Sequence, residues 1–261
     1  MTGLLIAASC SIPAQLAHAP TLDDILSRLE NNRNRYIAEV PSFFCSEHVV
    51  SSLVYGKKNQ STITDSIFRL TRASNADQTA SLVESREVQD VNGSPMKGKH
   101  INGPAILNGV FSGGLDTVSL SQKACMSYAL DPVKPEHPDG PYIVEFATLP
   151  VSRRPSNCVL KEDGMGQVFI DPATMQVTRM EFMVPHHVIL PAVVGVWRVS
   201  IDYAPVQLGG QTFWMPTTIT STAKPDDVDD PAVWRFKAGY SKYHKLEVTS
   251  HILSSGRSSA P

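Results

Sequence analysis

Between Gly166 and about Leu253, one apolar/polar alternation follows another with turn signals at each break, and no other feature constrains the fold as much. A period of two sends successive side chains to opposite faces of a strand. In 176–185 it places Met180, Phe182 and Val184 on one face and Arg179 and Glu181 on the other. Segment 196–205 repeats the pattern, with Trp197, Val199, Ile201 and Tyr203 against Arg198, Ser200 and Asp202. Between such runs lie the turns. Asp171-Pro172-Ala173-Thr174 has type I chemistry, because Pro172 presets φ and the Asp171 carboxylate can bond the main chain just beyond it. Gly209-Gly210 suits a type I′ hairpin, which needs positive φ at both central positions. Segments 212–222 and 234–253 continue the run, the second long enough for two strands or one strongly bent one. These signals predict an antiparallel meander with one apolar face.

Upstream, Thr21-Leu-Asp-Asp24 opens a helix over 21–40. Thr21 caps it, Asp24 completes a capping box, and Asp23 and Asp24 sit at the positive end of the dipole. Leu22, Ile25, Leu26 and Leu29 form one apolar stripe, and Pro41 ends the element. Further strands are expected at 43–54, 59–72, 79–91, 125–130 and 142–149. Asn92-Gly93 marks a turn, and Pro95 keeps the next segment out of a central strand. In the irregular stretch 95–121, Pro104–Val110 reads as a short helix.

Residues 1–19 read as a signal peptide, with an apolar run from Leu4 and a small-x-small site at Ala17-His18-Ala19. No basic residue precedes Leu4 and Pro20 follows the cleavage point, so an apolar arm packed on the domain stays open as the alternative. Ala7-Ala-Ser-Cys10 resembles a lipoprotein box that would leave Cys10 lipidated. The folded domain is assigned to 20–253 and a tail to 254–261. No other apolar run reaches the ~20 residues of a membrane span. The expected address is the periplasm or another exported location.

In an oxidising compartment two of the remaining cysteines should pair. Cys125 and Cys158, which flank the connection and strand over 131–149, are the preferred pair; buried thiols are the alternative. The 23 Lys and Arg against 25 Asp and Glu leave no basic excess, and no basic cluster interleaves with aromatics. Nucleic acid is therefore not an expected partner.

Signals for catalysis or metal are weak. Ser221-Thr-Ala-Lys224 has Ser-x-x-Lys spacing, but that chemistry needs a helix and here it ends a strand. His186-His187 would face opposite ways in an extended chain and read as loop histidines after Pro185. Asp226-Asp227-Val-Asp229-Asp230 lacks the glycine and distal glutamate of a calcium loop and reads as a solvated turn. Gly164-Met-Gly166 is read as a turn, because a strand follows it rather than a helix. No catalytic residue, metal ligand or cofactor is assigned.

The apolar face itself remains. One helix cannot cover a sheet of ~10 strands, and such a sheet should curl. The expected result is a concave hollow, partly lidded, lined by Met180, Phe182, Val184, Trp197, Val199, Ile201, Phe213, Met215, Trp234 and Phe236. A flexible, Met-containing lining suits acyl chains.

The order of elements, with Gly-Gln-Val-Phe-Ile-Asp-Pro-Ala-Thr-Met-Gln-Val-Thr-Arg-Met-Glu at 166–181, resembles the outer-membrane lipoprotein carrier (LolA/LolB-like) superfamily. By element order the resemblance spans about Thr21–Leu253; the local motif covers 166–181. It implies a mainly β (α+β) fold, an incomplete barrel of one large curled antiparallel sheet with helices on its concave face. It also implies periplasmic residence and non-catalytic binding of lipids or lipid anchors. Two functions follow as expectations. One is a carrier for a lipid, acyl chain or lipoprotein anchor; the other is an envelope protein-interaction or sensing module without a small-molecule ligand.

Overall fold

The computed structural model describes residues 20–74, 80–96, 110–131, 140–190, 193–226 and 232–246. The expected leader with Cys10, the tail and most of the expected helix Pro104–Val110 lie outside these. The N-terminal helix α1 runs Leu22–Glu39 and is capped as anticipated. The Asp24 amide donates to Thr21 Oγ1 at 3.2 Å, and the Thr21 amide donates to Asp24 Oδ2 at 3.0 Å. Its apolar stripe is buried at Ile25, Leu26 and Leu29.

Eleven strands form one antiparallel sheet. They are β1 (Phe43–Tyr55), β2 (Lys58–Ser74), β3 (Ala80–Val91), β4 (Ser94–Pro95), β5 (Met126–Leu130), β6 (Tyr142–Thr148), β7 (Met165–Ile170), β8 (Val177–Leu190), β9 (Val193–Leu208), β10 (Gln211–Pro225) and β11 (Val233–Lys245). The spatial order is β4-β3-β2-β1-β11-β10-β9-β8-β7-β6-β5, not closed into a barrel. The first and last strands therefore pair at the centre, and the chain crosses from one edge to the other between β4 and β5. That crossover carries the short helix α2 (Val110–Gly113) and two 3-10 turns, Gly114–Thr117 and Leu120–Gln122.

The turns follow their chemistry. Gly209 and Gly210 have φ of 60° and 83°. Asp171 Oδ1 accepts from the Thr174 amide at 2.7 Å and from Thr174 Oγ1 at 2.9 Å, which holds its carboxyl below the usual range.

Three expectations need correction. β8 does not stop at Pro185 but passes through it to Leu190. The pairing with β9 shifts register between Val184 and His187, and such an irregularity is where a strand tolerates a residue without an N–H. His186 and His187 are thus strand residues, not loop residues. Gly166 lies inside β7 rather than in a turn. A Cβ there would sit 2.7 Å from Phe146 Cζ and 2.1 Å from the Glu181 carbonyl oxygen, so the Phe146 ring occupies the space that a side chain would take.

α1 and the crossover lie on one face of the sheet, here the inner face. The core forms where they meet it, with Ile25, Leu26, Val40, Phe43, Phe68, Met180, Ile201 and Met215 almost fully buried. Phe111 of α2 enters an aromatic cluster, its ring centroid 4.7 Å from Phe68 and 4.8 Å from Tyr240. Polar ties fix the two inner layers to each other and to the sheet. Arg33 of α1 pairs with Asp116, Lys123 pairs with Asp23, and Asn32 Nδ2 donates to the Met175 carbonyl at 2.8 Å. Cys125 and Cys158 are joined by a disulfide, tying the start of β5 to the loop before β7. Cys45 is a buried free thiol.

Candidate functional site

The inner face holds the ten residues expected to line a ligand cavity. Met180, Phe182, Val184, Val199, Ile201, Phe213, Met215 and Phe236 are buried there, and Trp197 and Trp234 are half-buried. Trp197 meets Phe182 edge-on at 5.4 Å, lies against the His187 ring at 4.8 Å, and donates from Nε1 to Ser221 Oγ at 2.7 Å. His187 is in turn held by Glu162, 2.9 Å from Nδ1.

One hollow of about 310 Å³ remains between α1 and the sheet. Leu29 and Tyr36 of α1, Leu115 and Val118 of the crossover, and Val177, Phe213 and Trp214 of the sheet supply its apolar walls. Arg33, Arg35 and Glu39 bring charge to it. Arg33 is engaged by Asp116, whereas Arg35 is exposed and has no partner among the described residues. The hydroxyls of Tyr36 and Tyr203 are buried without a hydrogen-bond partner among the described residues. Burial pushes both phenols up, with Glu84 adding to it at Tyr36 and Tyr36 itself at Tyr203, so both stay neutral donors.

A second, larger hollow of about 670 Å³ crosses six strands from β5 to β10. Each strand gives it three consecutive residues, and the middle ones form one cross-strand row: Tyr128, Phe146, Gly166, Phe182, Val199 and Ser221. Their side chains belong to the buried inner face. Alternation therefore points the flanking residues of each triplet outward, away from α1. This is a trough on the outer face. Along one side run Ser127, Ala147, Met165, Met183, Arg198 and Thr222, and along the other Ala129, Glu145, Gln167, Glu181, Ser200 and Thr220.

A third feature is a charged cluster inside the core. Arg86 Nε donates to both Glu47 oxygens, at 2.8 and 2.9 Å, and its Nη1 lies 3.6 Å from Glu84 Oε2. Glu84 also accepts from the amide and hydroxyl of Ser112 on the crossover, both at 2.8 Å. Burial is the largest single influence and opposes the Arg86 charge, but Glu47 and Tyr240 together outweigh it and raise the pKa. Burial and the Glu47 charge both drive the Tyr240 phenol up. The sequence reading missed this cluster. Its signal was present: Glu47 shares strand parity with Phe43, Cys45 and Val49, so an acid stands where the pattern requires an apolar residue.

Among the described residues no group of His, Cys, Asp and Glu is placed to hold a metal ion, and no helix is long and apolar enough to cross a membrane. No family model matches the chain, and no curated protein matches it.

In fold the chain is similar to LolA superfamily proteins. One such protein, from Nitrosomonas europaea, aligns over 88% of this chain and 96% of its own at 11% identity, with a TM-score of 0.36. A domain from Vibrio parahaemolyticus named for outer-membrane lipoprotein sorting aligns over 83% of this chain and 90% of its own, at 11% identity and a TM-score of 0.38. A DUF1329 family protein from Desulfovibrio piger aligns over 86% of this chain and 95% of its own, at 8% identity and a TM-score of 0.37. The likeness is one of general plan, and no residue is carried across.

Proposed function

We propose that this chain is an exported, non-catalytic binding or carrier protein that holds the acyl part of an amphiphile between α1 and the sheet. The observation that carries this reading is the hollow under α1, with Leu29, Leu115, Val118, Phe213 and Trp214 as walls and Arg35 exposed beside them. Apolar walls favour a hydrocarbon chain, and a cation at the rim favours an anionic head. The volume stands at the lower end of the ~300–1,000 Å³ usual for ligand pockets, which suits one acyl chain rather than two. The disulfide supports export, because such bonds persist in oxidising compartments. The likeness of segment 166–181 to lipoprotein carriers points to the same class of cargo.

The test is native mass spectrometry of protein purified from its own envelope fraction, followed by titration of delipidated protein with a long-chain fatty acid. A bound lipid or acylated peptide, together with saturable quenching of Trp214, is the expected result. Arg35→Glu, at an exposed position, should weaken uptake without affecting folding. A protein that stays free of ligand in both experiments refutes the proposal.

A further inference from the structure

The hollow under α1 has a charge pattern of its own. Three charged residues line it, Arg33, Arg35 and Glu39, and its other polar wall groups are neutral amides and hydroxyls. Arg33 is engaged by Asp116. That leaves one cation and one anion, Arg35 and Glu39, both exposed and neither with an ion-pair partner among the described residues.

Glu39 stands where local electrostatics disfavour an acid. It is the last residue of α1, at the negative end of the helix dipole, and the last turn holds no base. Arg72 of β2 reaches this end but donates to the Val40 carbonyl, at 2.7 Å, rather than to Glu39. Arg35 lies one turn earlier, yet a base four residues before an acid is the poorer order for a helical pair, and such exposed pairs are worth little. An acid that breaks a local rule with no compensation inside the fold marks a position set by function.

Residues four apart on a helix stand about 5–6 Å from each other at their Cβ atoms. A cation and an anion so spaced beside an apolar hollow complement a head group that carries both signs. A purely anionic head would meet Arg35 but stand against the Glu39 carboxylate and the negative helix end. A purely cationic head would meet Glu39 but stand against Arg35. We propose that the hollow selects single-chain amphiphiles with a zwitterionic head, in which a short link joins an anion to an ammonium group, as in phosphoethanolamine. The acyl chain lies on Leu29, Leu115, Val118 and Phe213. Arg35 donates to the phosphate oxygens, and the ammonium group donates to the Glu39 carboxylate. The walls supply the hold, and the two charges on α1 set the specificity.

This rests on the acyl-carrier reading, and the experiment separates the two. Delipidated full chain is titrated with lysophosphatidylethanolamine and with lysophosphatidylglycerol of the same acyl chain, both below micelle-forming concentrations, and bound lipid is read by native mass spectrometry. The ethanolamine lipid should bind about fivefold tighter, the scale of one exposed charge pair. Glu39→Gln should erase that preference. Arg35→Gln should weaken both lipids alike and keep it, because both carry the phosphate. Glu39→Gln should also leave the urea midpoint unchanged or higher, since it takes an acid from the negative end of the dipole, so the lost preference is not a loss of fold. Equal binding of the two lipids, tighter binding of the glycerol lipid, or a preference that survives Glu39→Gln overturns this proposal and leaves the carrier reading standing. Binding of neither lipid overturns the carrier reading and this proposal with it.

Discussion

Replacing Arg86 by Met should destabilise the fold more than any other single change in the charged cluster. The Glu47 side chain is fully buried and that of Glu84 is 5% exposed. Removing one partner of a buried ion pair costs roughly 3–5 kcal/mol, because the remaining charge is left without compensation. That is a large part of the ~5–15 kcal/mol by which a domain is stable. Arg86→Met lies at the upper end, since it leaves two carboxylates facing each other. It also removes the guanidinium from the face of Phe68, 4.8 Å from the ring centroid, a contact worth about 0.5–2 kcal/mol. Glu47→Gln lies at the lower end, because Glu84 stays beside the guanidinium. The double variant Glu47→Gln with Arg86→Met leaves one carboxylate rather than two and should cost less than the sum of the single changes. Urea unfolding followed by tryptophan fluorescence and circular dichroism measures all three, provided the slope with denaturant is unchanged. Additive losses, or an Arg86→Met cost smaller than that of Glu47→Gln, would refute the reasoning.

Other predictions concern single bonds. Reducing the Cys125–Cys158 bridge, which spans 33 residues, should cost about 3–4 kcal/mol on a chain-entropy account; Cys125→Ser with Cys158→Ser should then make stability indifferent to reductant. Hydrogen bonds from Thr21 hold the Asp24 carboxyl below its ordinary range. Their stabilisation is therefore present above about pH 4 and lost as pH falls through the lowered value. Thr21→Ala keeps the main-chain donor but loses the hydroxyl, so it should weaken that acid dependence and lower stability as loss of an N-cap does, read from unfolding curves between neutral and acid pH. Burial, reinforced by the Glu47 charge and opposed by Arg86, pushes the Cys45 thiol up to about 12. Iodoacetamide at pH 8 should leave Cys45 unmodified in native protein and alkylate it in denaturant; rapid native labelling would contradict its burial.

Features set by local chemistry were legible in the sequence, and those set by register or curvature were not. The Thr21–Asp24 box, the Gly209-Gly210 turn and the Asp171 turn each depend on residues within a few positions, and each formed as read. Strand parity correctly placed Met180, Phe182, Ile201 and Met215 on the buried side. Parity alone does not say which strands are neighbours, so the meeting of Glu47 with Arg86, 39 residues apart, could not be foreseen. Nor does alternation report local irregularity. Pro185 signals a strand end by its missing donor, yet a shift in register carries β8 past it. The outer trough was hidden for a related reason: Glu181, Arg198 and Ser200 fall on the polar faces of their strands, and alternation does not report a hollow on that side.

The pairing of β1 with β11 also governs how the molecule can be assembled. The first strand of the chain waits for the last before the two parts of the sheet can join, and contacts of such long sequence separation make folding slow. Until β11 is in place, β1 and β10 each present an unprotected edge in the middle of the future sheet. A chain cut before Val233 should therefore give two sticky part-sheets rather than a smaller stable protein. The same order keeps a partly synthesised chain from completing its sheet early.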